Sequence, residues 1–88
     1  MGINGIKMSR IFEKEYRKLD KKIKDAAKEK ENVFRADPFH PSLETHKLHG
    51  KEKDVWAFSI NRKYRIKCVF LDNDTVLFLD IGLHDIYE

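Results

Sequence analysis

Residues 55–81 read VWAFSINRKYRIKCVFLDNDTVLFLDI, and this stretch decides the fold of the chain. Apolar side chains recur at alternate positions through most of it, which is the period of a β-strand. Two short polar segments, 61–63 and 72–74, interrupt the pattern and contain residues that favour turns. The stretch therefore predicts three consecutive antiparallel strands, at residues 55–61, 64–70 and 75–81.

The alternation also predicts which side chains share a face of the sheet. One face of the first two strands is apolar and consists of Trp56, Phe58, Ile60, Tyr64, Ile66, Cys68 and Phe70. The opposite face of the second strand carries three cations, Lys63, Arg65 and Lys67. If helices cover the apolar face, these cations stand on an open face that suits a phosphate backbone.

The residues before this stretch predict a short strand followed by a helical region. Residues 3–8 are the strand candidate, and Ser9 is a good N-cap for the helical spacing of apolar residues that follows. The Asp37-Pro38 pair ends the helical region, because the residue before a proline is pushed out of the α conformation. Asp20 is also a suitable cap for a second helix. The pattern is therefore compatible with either one long helix or two shorter helices.

Together these elements predict an α+β fold of order β-α(α)-β-β-β, with the helices on one face of a mainly antiparallel sheet. Residues 37–50, which contain both prolines, are expected to form an irregular connection. With 88 residues, 41% of them hydrophobic, the chain has room for one core, and we expect a single domain over residues 1–88. This size argues against a large cofactor-dependent enzyme, and we expect no cofactor.

The apolar runs and the cysteine usage limit where the protein works. The longest runs, 68–71 and 76–79, fall far short of a membrane span, and the N-terminus lacks the apolar stretch of a signal peptide. We therefore expect a cytoplasmic protein with no membrane partner. Cys68 is the single cysteine, so it forms no internal disulfide, and its apolar neighbours predict a buried small hydrophobe.

Charge is distributed unevenly along the chain. The net charge of +3 divides into 18 basic against 10 acidic residues in 7–67, and none against 5 in 68–88. A basic first three-quarters followed by an acidic end is typical of a surface that meets a polyanion or an acidic partner. A solvated, lysine-rich helix surface is the alternative interpretation of the same counts.

The C-terminal stretch contains the residues best suited to chemistry. His84 and Tyr87 follow the last predicted strand, where a rigid scaffold positions loop side chains. An imidazole exchanges protons near neutral pH, and the guanidinium of Arg65 suits phosphate oxygens. RNA cleavage by its own 2′-hydroxyl needs a base, a cation for the phosphate and an acid. The structural alternative is that His84 caps the sheet and Tyr87 closes the edge of the core.

A zinc site is a weaker interpretation of the histidines. His46 and His49 have a spacing that zinc ligands use. A zinc site needs three or four ligands, however, and only one cysteine, facing inward, is at hand. We therefore expect no metal site.

Four motifs, in this order, resemble the RelE/ParE superfamily of type II toxin–antitoxin toxins, closest to its RelE/StbE and YafQ-like branch. They are HKLHG (46–50), WAFSIN (56–61), YRI (64–66) and DIGLHDIY (80–87). The likeness is close over residues 34–88, and the N-terminal part agrees in pattern only. It implies a β-α-α-β-β-β fold with a helical hairpin, which favours a break near Asp20. It also implies a ribosome-dependent mRNA endonuclease that cuts without a metal by 2′-hydroxyl attack and is neutralised by a cognate antitoxin.

The resemblance also implies roles for individual residues. Arg65 matches the arginine that contacts the scissile phosphate, and His84 matches a histidine that acts as general acid or base. Tyr87 falls near a C-terminal aromatic residue that serves proton transfer or base stacking. His46 matches a loop histidine of YafQ-like toxins. We expect the remaining RNA contacts from Lys47, His49, Arg62, Lys63 and Lys67.

The sequence also departs from the family pattern. Ala57 and Ser59 stand where RelE has two lysines, so a RelE-type lysine base is missing. The strand histidine of YafQ-like toxins is replaced by Ile60 or its neighbours. If the protein cuts RNA, the resemblance assigns the main roles to His84 and Arg65, with His46 or His49 assisting.

Two other functions fit the same resemblance. A ParE-like toxin would inhibit DNA gyrase and cut no RNA, and it would not need the pair His84 and Tyr87. A relative that has lost toxicity would only bind RNA or the ribosome through its basic residues. In each toxin reading, the expected partner is an antitoxin with an acidic, poorly ordered segment that folds on the toxin.

Overall fold

The computed structural model describes residues 2–50 and 54–83. In these ranges the chain forms, in order, β1 (Gly5–Met8), α1 (Arg10–Lys18), α2 (Lys21–Ala36), a 3₁₀ helix (Pro41–Leu43), β2 (His46–Lys47), β3 (Trp56–Ser59), β4 (Tyr64–Phe70) and β5 (Thr75–Leu83). The strands form one sheet of order β1-β5-β4-β3-β2. Neither described helix is long and apolar enough to cross a membrane. The predicted α+β fold is confirmed.

The sheet is mainly antiparallel, as predicted, and contains one parallel pair. Strands β3, β4 and β5 form the predicted antiparallel meander, but β1 pairs with β5 in parallel. The strand β2 pairs antiparallel with β3 and lies within the connection that we expected to be irregular. A two-residue strand is too short to show an alternating pattern, so its pairing depends on β3 rather than on its own sequence.

Two N-caps divide the helical region into a hairpin of two helices. The hydroxyl of Ser9 accepts a hydrogen bond from the Phe12 amide at 3.0 Å and donates one to the Leu79 carbonyl at 2.6 Å. The carboxylate of Asp20 accepts from the Ile23 amide at 3.0 Å, after Leu19 has left the helical conformation. Each cap satisfies an amide that a helix start leaves without a partner. The break near Asp20 is therefore confirmed.

The helices cover one face of the sheet with an aromatic core. Phe34 of α2, Phe58 of β3 and Phe78 of β5 have no exposed surface. The ring centroids of Phe34 and Phe58 lie 4.5 Å apart in a stacked arrangement. Burying a side chain of this size stabilises the fold by about 1.5–3 kcal/mol. Burial also raises the pKa of the Cys68 thiol to about 12, which keeps this residue a protonated, inert part of the core.

The opposite face of the sheet, here called the outer face, is not bare as the sequence led us to expect. A second, smaller apolar cluster lies on it, formed by Leu48, Val55 and Ala57 with Val69 and Leu79 against them. A backbone hydrogen bond joins Leu48 to Val55, with the Leu48 amide donating to the Val55 carbonyl at 2.9 Å. The difference comes from Leu48, which the connection after β2 adds to a face on which we expected only strand residues.

Candidate functional site

The strand register brings three of the predicted site residues to the outer face. Residues directly opposite each other in an antiparallel pair share a face. His46 of β2 lies opposite Ala57 of β3, and Ala57 lies opposite Lys67 of β4. Two positions further along β3, Ser59 lies opposite Arg65. The sheet thus collects His46 of β2 with Arg65 and Lys67 of β4 on one face.

The guanidinium of Arg65 is held by a relay of two hydrogen bonds. Its Nη1 donates to the Ser59 hydroxyl oxygen at 2.7 Å. That hydroxyl donates in turn to Oε1 of Glu44 at 3.1 Å. Ser59 is only 6% exposed and Arg65 is half-buried, whereas Glu44 is exposed, so the bond to Arg65 is the better shielded of the two. The relay fixes where Arg65 holds its cation.

Glu44 also contacts His46. Its backbone carbonyl lies 3.0 Å from Nδ1 of His46. Because a carbonyl only accepts hydrogen bonds, Nδ1 must carry the proton, and in the neutral ring Nε2 then presents a lone pair. Glu44 reaches this position by following the 3₁₀ helix in the left-handed conformation, with φ 51° and ψ 40°. One residue therefore touches the histidine directly and the arginine through a serine.

Lys67 does not offer the open cation that the sequence suggested. A register shift between Lys67 and Cys68 places Asp80 of β5 opposite it, and the Lys67 Nζ lies 3.6 Å from Oδ2 of Asp80. The two side chains are only 13% and 25% exposed. Lys67 shares the face of Arg65 as predicted, but a neighbouring carboxylate offsets its charge.

The hairpin between β3 and β4 carries the exposed cations. Arg62 and Lys63 are both exposed there. The Asn61 side-chain oxygen accepts the amides of Lys63 and Tyr64, each at 2.8 Å, which tightens the turn. These two cations therefore lie at the end of the sheet where β4 begins, close in sequence to Arg65.

Lys47 and His49 lie apart from this group. Lys47 is opposite Trp56 in the register, so it occupies the other face from His46, and its Nζ lies 3.7 Å from Oδ1 of Asp54. His49 is exposed beside Gly50 in the connection that follows β2. The structure does not bring Lys47 to the face that Lys67 shares with Arg65, although the sequence predicted RNA contacts from both Lys47 and Lys67.

The remaining predicted catalytic residues, His84 and Tyr87, lie outside the described residues. The last described pairs of β5 place Gly82 opposite Arg65 and Leu83 opposite Tyr64. The assignment of His84 and Tyr87 to the site stays a prediction. Within residues 2–50 and 54–83, no three His, Cys, Asp or Glu side chains gather as a metal site would require.

Glu44, Asp80 and Ser59 have contacts in the site that the sequence did not predict. Ser59 was noted only as a missing lysine, yet it is the acceptor for Arg65. The alternation of β3 already placed Ser59 on the face of Arg65, and that pattern was a usable signal. Glu44 gave no such signal, because its contact with Ser59 spans 15 positions and depends on a left-handed turn.

Comparison with known proteins gives no match to a family model or to a curated protein. Solved structures match well. A chain of the RelBE2 toxin–antitoxin complex from Mycobacterium tuberculosis has a TM-score of 0.79 at 15% identity, covering 96% of this chain and 100% of that chain. The YoeB/ParE toxin from Agrobacterium tumefaciens has a TM-score of 0.78 at 12% identity, covering 92% and 99%. A chain of the DinJ–YafQ toxin–antitoxin complex from E. coli has a TM-score of 0.74 at 16% identity, covering 98% and 97%.

At these identities the likeness is one of fold. It extends over nearly the whole of both chains in every case. The chain has the fold of the RelE/ParE superfamily of toxins.

Proposed function

We propose that this protein is the toxin of a type II toxin–antitoxin system and that it cleaves mRNA on the ribosome. The observation that carries the proposal is the shared placement of His46 and Arg65 on the outer face, both in contact with the Glu44–Ser59 pair. A fold common to RelE, YoeB and YafQ toxins supports it.

The proposed reaction is attack of a ribose 2′-hydroxyl on the adjacent phosphorus. The neutral imidazole of His46 presents Nε2 as a base for the hydroxyl proton. The guanidinium of Arg65 stabilises the extra negative charge on the five-coordinate phosphate. The bond from phosphorus to the 5′-oxygen breaks, and an acid, in our proposal His84 or Tyr87, donates the proton that this oxygen takes up. The products are a 2′,3′-cyclic phosphate and a 5′-hydroxyl.

The exposed hairpin cations fit a role in binding RNA. Arg62 and Lys63 directly precede β4, the strand that carries Arg65. Contacts of this kind go mainly to phosphates and position the strand without reading its bases. We assign the same type of contact to His49, and a lesser one to Lys47 and Lys67, because each lysine already faces a carboxylate.

The proposed partner is a cognate antitoxin with an acidic segment. The matched solved structures include the RelB–RelE complex of Pyrococcus horikoshii and the DinJ–YafQ complex of E. coli. In this chain, residues 7–67 hold 18 basic against 10 acidic side chains. Such a surface attracts an acidic, poorly ordered segment that folds on contact.

Expression in bacteria followed by primer extension on a translated mRNA tests the proposed function. Wild-type protein should arrest growth and produce new 5′ ends within translated regions. Arg65→Ala should abolish these ends, because the phosphate loses its fixed cation. Arg17→Ala is the matched control, since it removes an exposed arginine of α1 far from the relay and should cut like wild type.

Two outcomes would contradict the proposal. Growth arrest with intact transcripts and induction of the DNA-damage response would instead indicate a gyrase-directed toxin. No growth arrest and no new ends, together with RNA binding that weakens as salt rises, would indicate a non-toxic RNA-binding relative.

A further inference from the structure

We propose that Glu44 is the positioning residue of this site and that it acts on Arg65 through Ser59. This inference rests on the proposed function, because it explains how the residues assigned to RNA cleavage are held. Glu44 touches no reacting atom in the proposed reaction. It deepens the proposal by assigning a role to a residue that no sequence motif indicated.

The direction of the hydrogen bonds carries the first step of the argument. Arg65 donates to Ser59 at 2.7 Å, and Ser59 donates to Glu44 at 3.1 Å. Each donor therefore meets an acceptor along the two hydrogen bonds from the guanidinium to the carboxylate. A carboxylate that accepts the hydroxyl proton makes the hydroxyl oxygen a better acceptor for the guanidinium. Without Glu44 the hydroxyl is free to rotate, and its hydrogen bond with Arg65 is weakened.

The backbone of Glu44 carries the second step. Its φ of 51° lies in the left-handed region, which glycine adopts freely and other residues adopt at a cost. A glycine at this position would give a more relaxed turn, but it would lack the carboxylate. The same strained turn brings the Glu44 carbonyl to 3.0 Å from the His46 ring. The backbone of Glu44 therefore contacts His46, and its side chain supports Arg65 through Ser59. A substitution that changes only the side chain separates these two roles.

Asp54 provides a matched comparison within the same chain. It is the other described acidic residue with positive φ, at 64°. Its side chain is 71% exposed and lies 3.7 Å from Lys47, which is on the opposite face from His46. Replacing either acid by glycine relaxes a left-handed residue and removes one negative charge. Only at Glu44 does the change also remove a contact in the relay to Arg65.

The electrostatics predict which kinetic constant responds. A carboxylate near the phosphate site opposes the binding of a polyanion, so removing it should not raise KM. Loss of orientation in Arg65 reduces stabilisation of the transition state and lowers kcat. A residue that bound the RNA directly would show the reverse pattern, with a raised KM.

The test compares purified Glu44→Gly, Glu44→Gln and Asp54→Gly in cleavage of mRNA on programmed ribosomes. We expect Glu44→Gly to lower kcat about tenfold without raising KM, as loss of a supporting hydrogen bond typically does. Glu44→Gln keeps an acceptor for Ser59 and should recover most of that loss. Asp54→Gly should keep wild-type kcat. In a Ser59→Ala background, Glu44→Gly should have no further effect, because the relay is already broken.

A readout independent of activity separates this inference from the proposed function. The Arg65 Nε–H signal in nuclear magnetic resonance should broaden or shift in Glu44→Gly and stay in place in Asp54→Gly. The nitrogen shifts of His46 should keep the Nδ1-protonated form in both, since the carbonyl of residue 44 remains. An Arg65 signal that Glu44→Gly leaves unchanged would overturn the positioning role even if the enzyme cuts RNA. If the Arg65 signal changes in Glu44→Gly but the wild-type protein cuts no RNA, the relay is supported and the proposed function is contradicted.

Discussion

The two faces of the sheet are built on different principles. The face under the helices is a continuous apolar core in which Phe34, Phe58 and Phe78 are fully buried and contact one another. The outer face combines a small apolar cluster with a polar network that joins Glu44, Ser59 and Arg65. The first face supplies burial, and the second supplies oriented polar groups.

This difference has a consequence for substitution. One apolar core side chain can replace another of similar volume, because burial depends on volume and apolar area rather than on a direction. Groups of the outer face depend on the direction of each hydrogen bond, and one misplaced donor is enough to disturb the next. We therefore expect changes in the core to affect mainly stability, and changes in the relay to affect mainly activity.

The largest expected effect lies in the core. Phe34→Ala should lower the free energy of unfolding by about 3–5 kcal/mol, because it empties a fully buried site against three aromatic rings. Urea unfolding followed by circular dichroism measures it. Phe39→Ala is the control: this ring also stacks on Phe70 but is 53% exposed, and its loss should cost about 1 kcal/mol. Equal costs for the two phenylalanines would show that burial does not set how much an aromatic ring of this face contributes to stability.

A smaller effect is expected at the start of α1. Ser9→Ala removes a helix cap and also the bond from its hydroxyl to the Leu79 carbonyl, so it should cost about 1–2 kcal/mol. Asp20→Ala removes an exposed cap that accepts from the Ile23 amide, and it should cost about 1 kcal/mol or less. Urea unfolding of both variants compares them. A greater loss in Asp20→Ala would show that the link from α1 to the sheet contributes little.

The core also predicts a pH dependence. Burial raises the pKa of the Cys68 thiol to about 12 from an ordinary value of 9.0. Below pH 9 both states keep the proton, so stability is unaffected by this group. Above it the unfolded chain releases the proton while the folded chain retains it, and stability falls as pH rises toward about 12, by about 1.4 kcal/mol at one pH unit above the ordinary value.

Cys68→Ala isolates this contribution. The variant will be less stable at neutral pH because of the lost volume, but its stability should fall less steeply with pH in the alkaline range. Urea unfolding at a series of alkaline pH values gives both slopes. Parallel slopes for the two proteins would mean that the thiol ionises as readily in the folded chain as in the unfolded one.

The core face was the predictable part of the molecule. Strand β4 has the bounds that alternation predicted, and Phe58, Ile66 and Cys68 lie on the face that the period assigned to them. Asp20 was recognised as a possible cap, and the helical hairpin implied by the family resemblance made it the preferred one. These features follow from local signals, namely a period of two and side chains that bond amides three residues away.

The outer face was predictable only in part. Arg65 was assigned to it correctly, because its place follows from the same alternation. Lys67 was assigned to the correct face, but its pairing with Asp80 depends on a register shift that strand periods do not reveal. Glu44 reaches the site through a left-handed turn and a contact between distant segments, neither of which has a sequence period.

The outer face should carry the activity, while the core carries the fold. Arg65→Ala tests this most directly when the cleavage rate and the free energy of unfolding are measured on the same purified protein. The account predicts a fall in single-turnover cleavage on programmed ribosomes of about 10²–10³-fold, because a preorganised cation at the phosphate is lost. The free energy of unfolding should change far less than in Phe34→Ala, since Arg65 is half-buried, the aromatic core stays intact and each lost hydrogen bond is worth about 1 kcal/mol. Cleavage that persists at the wild-type rate, or a loss of cleavage explained by unfolding, would contradict it.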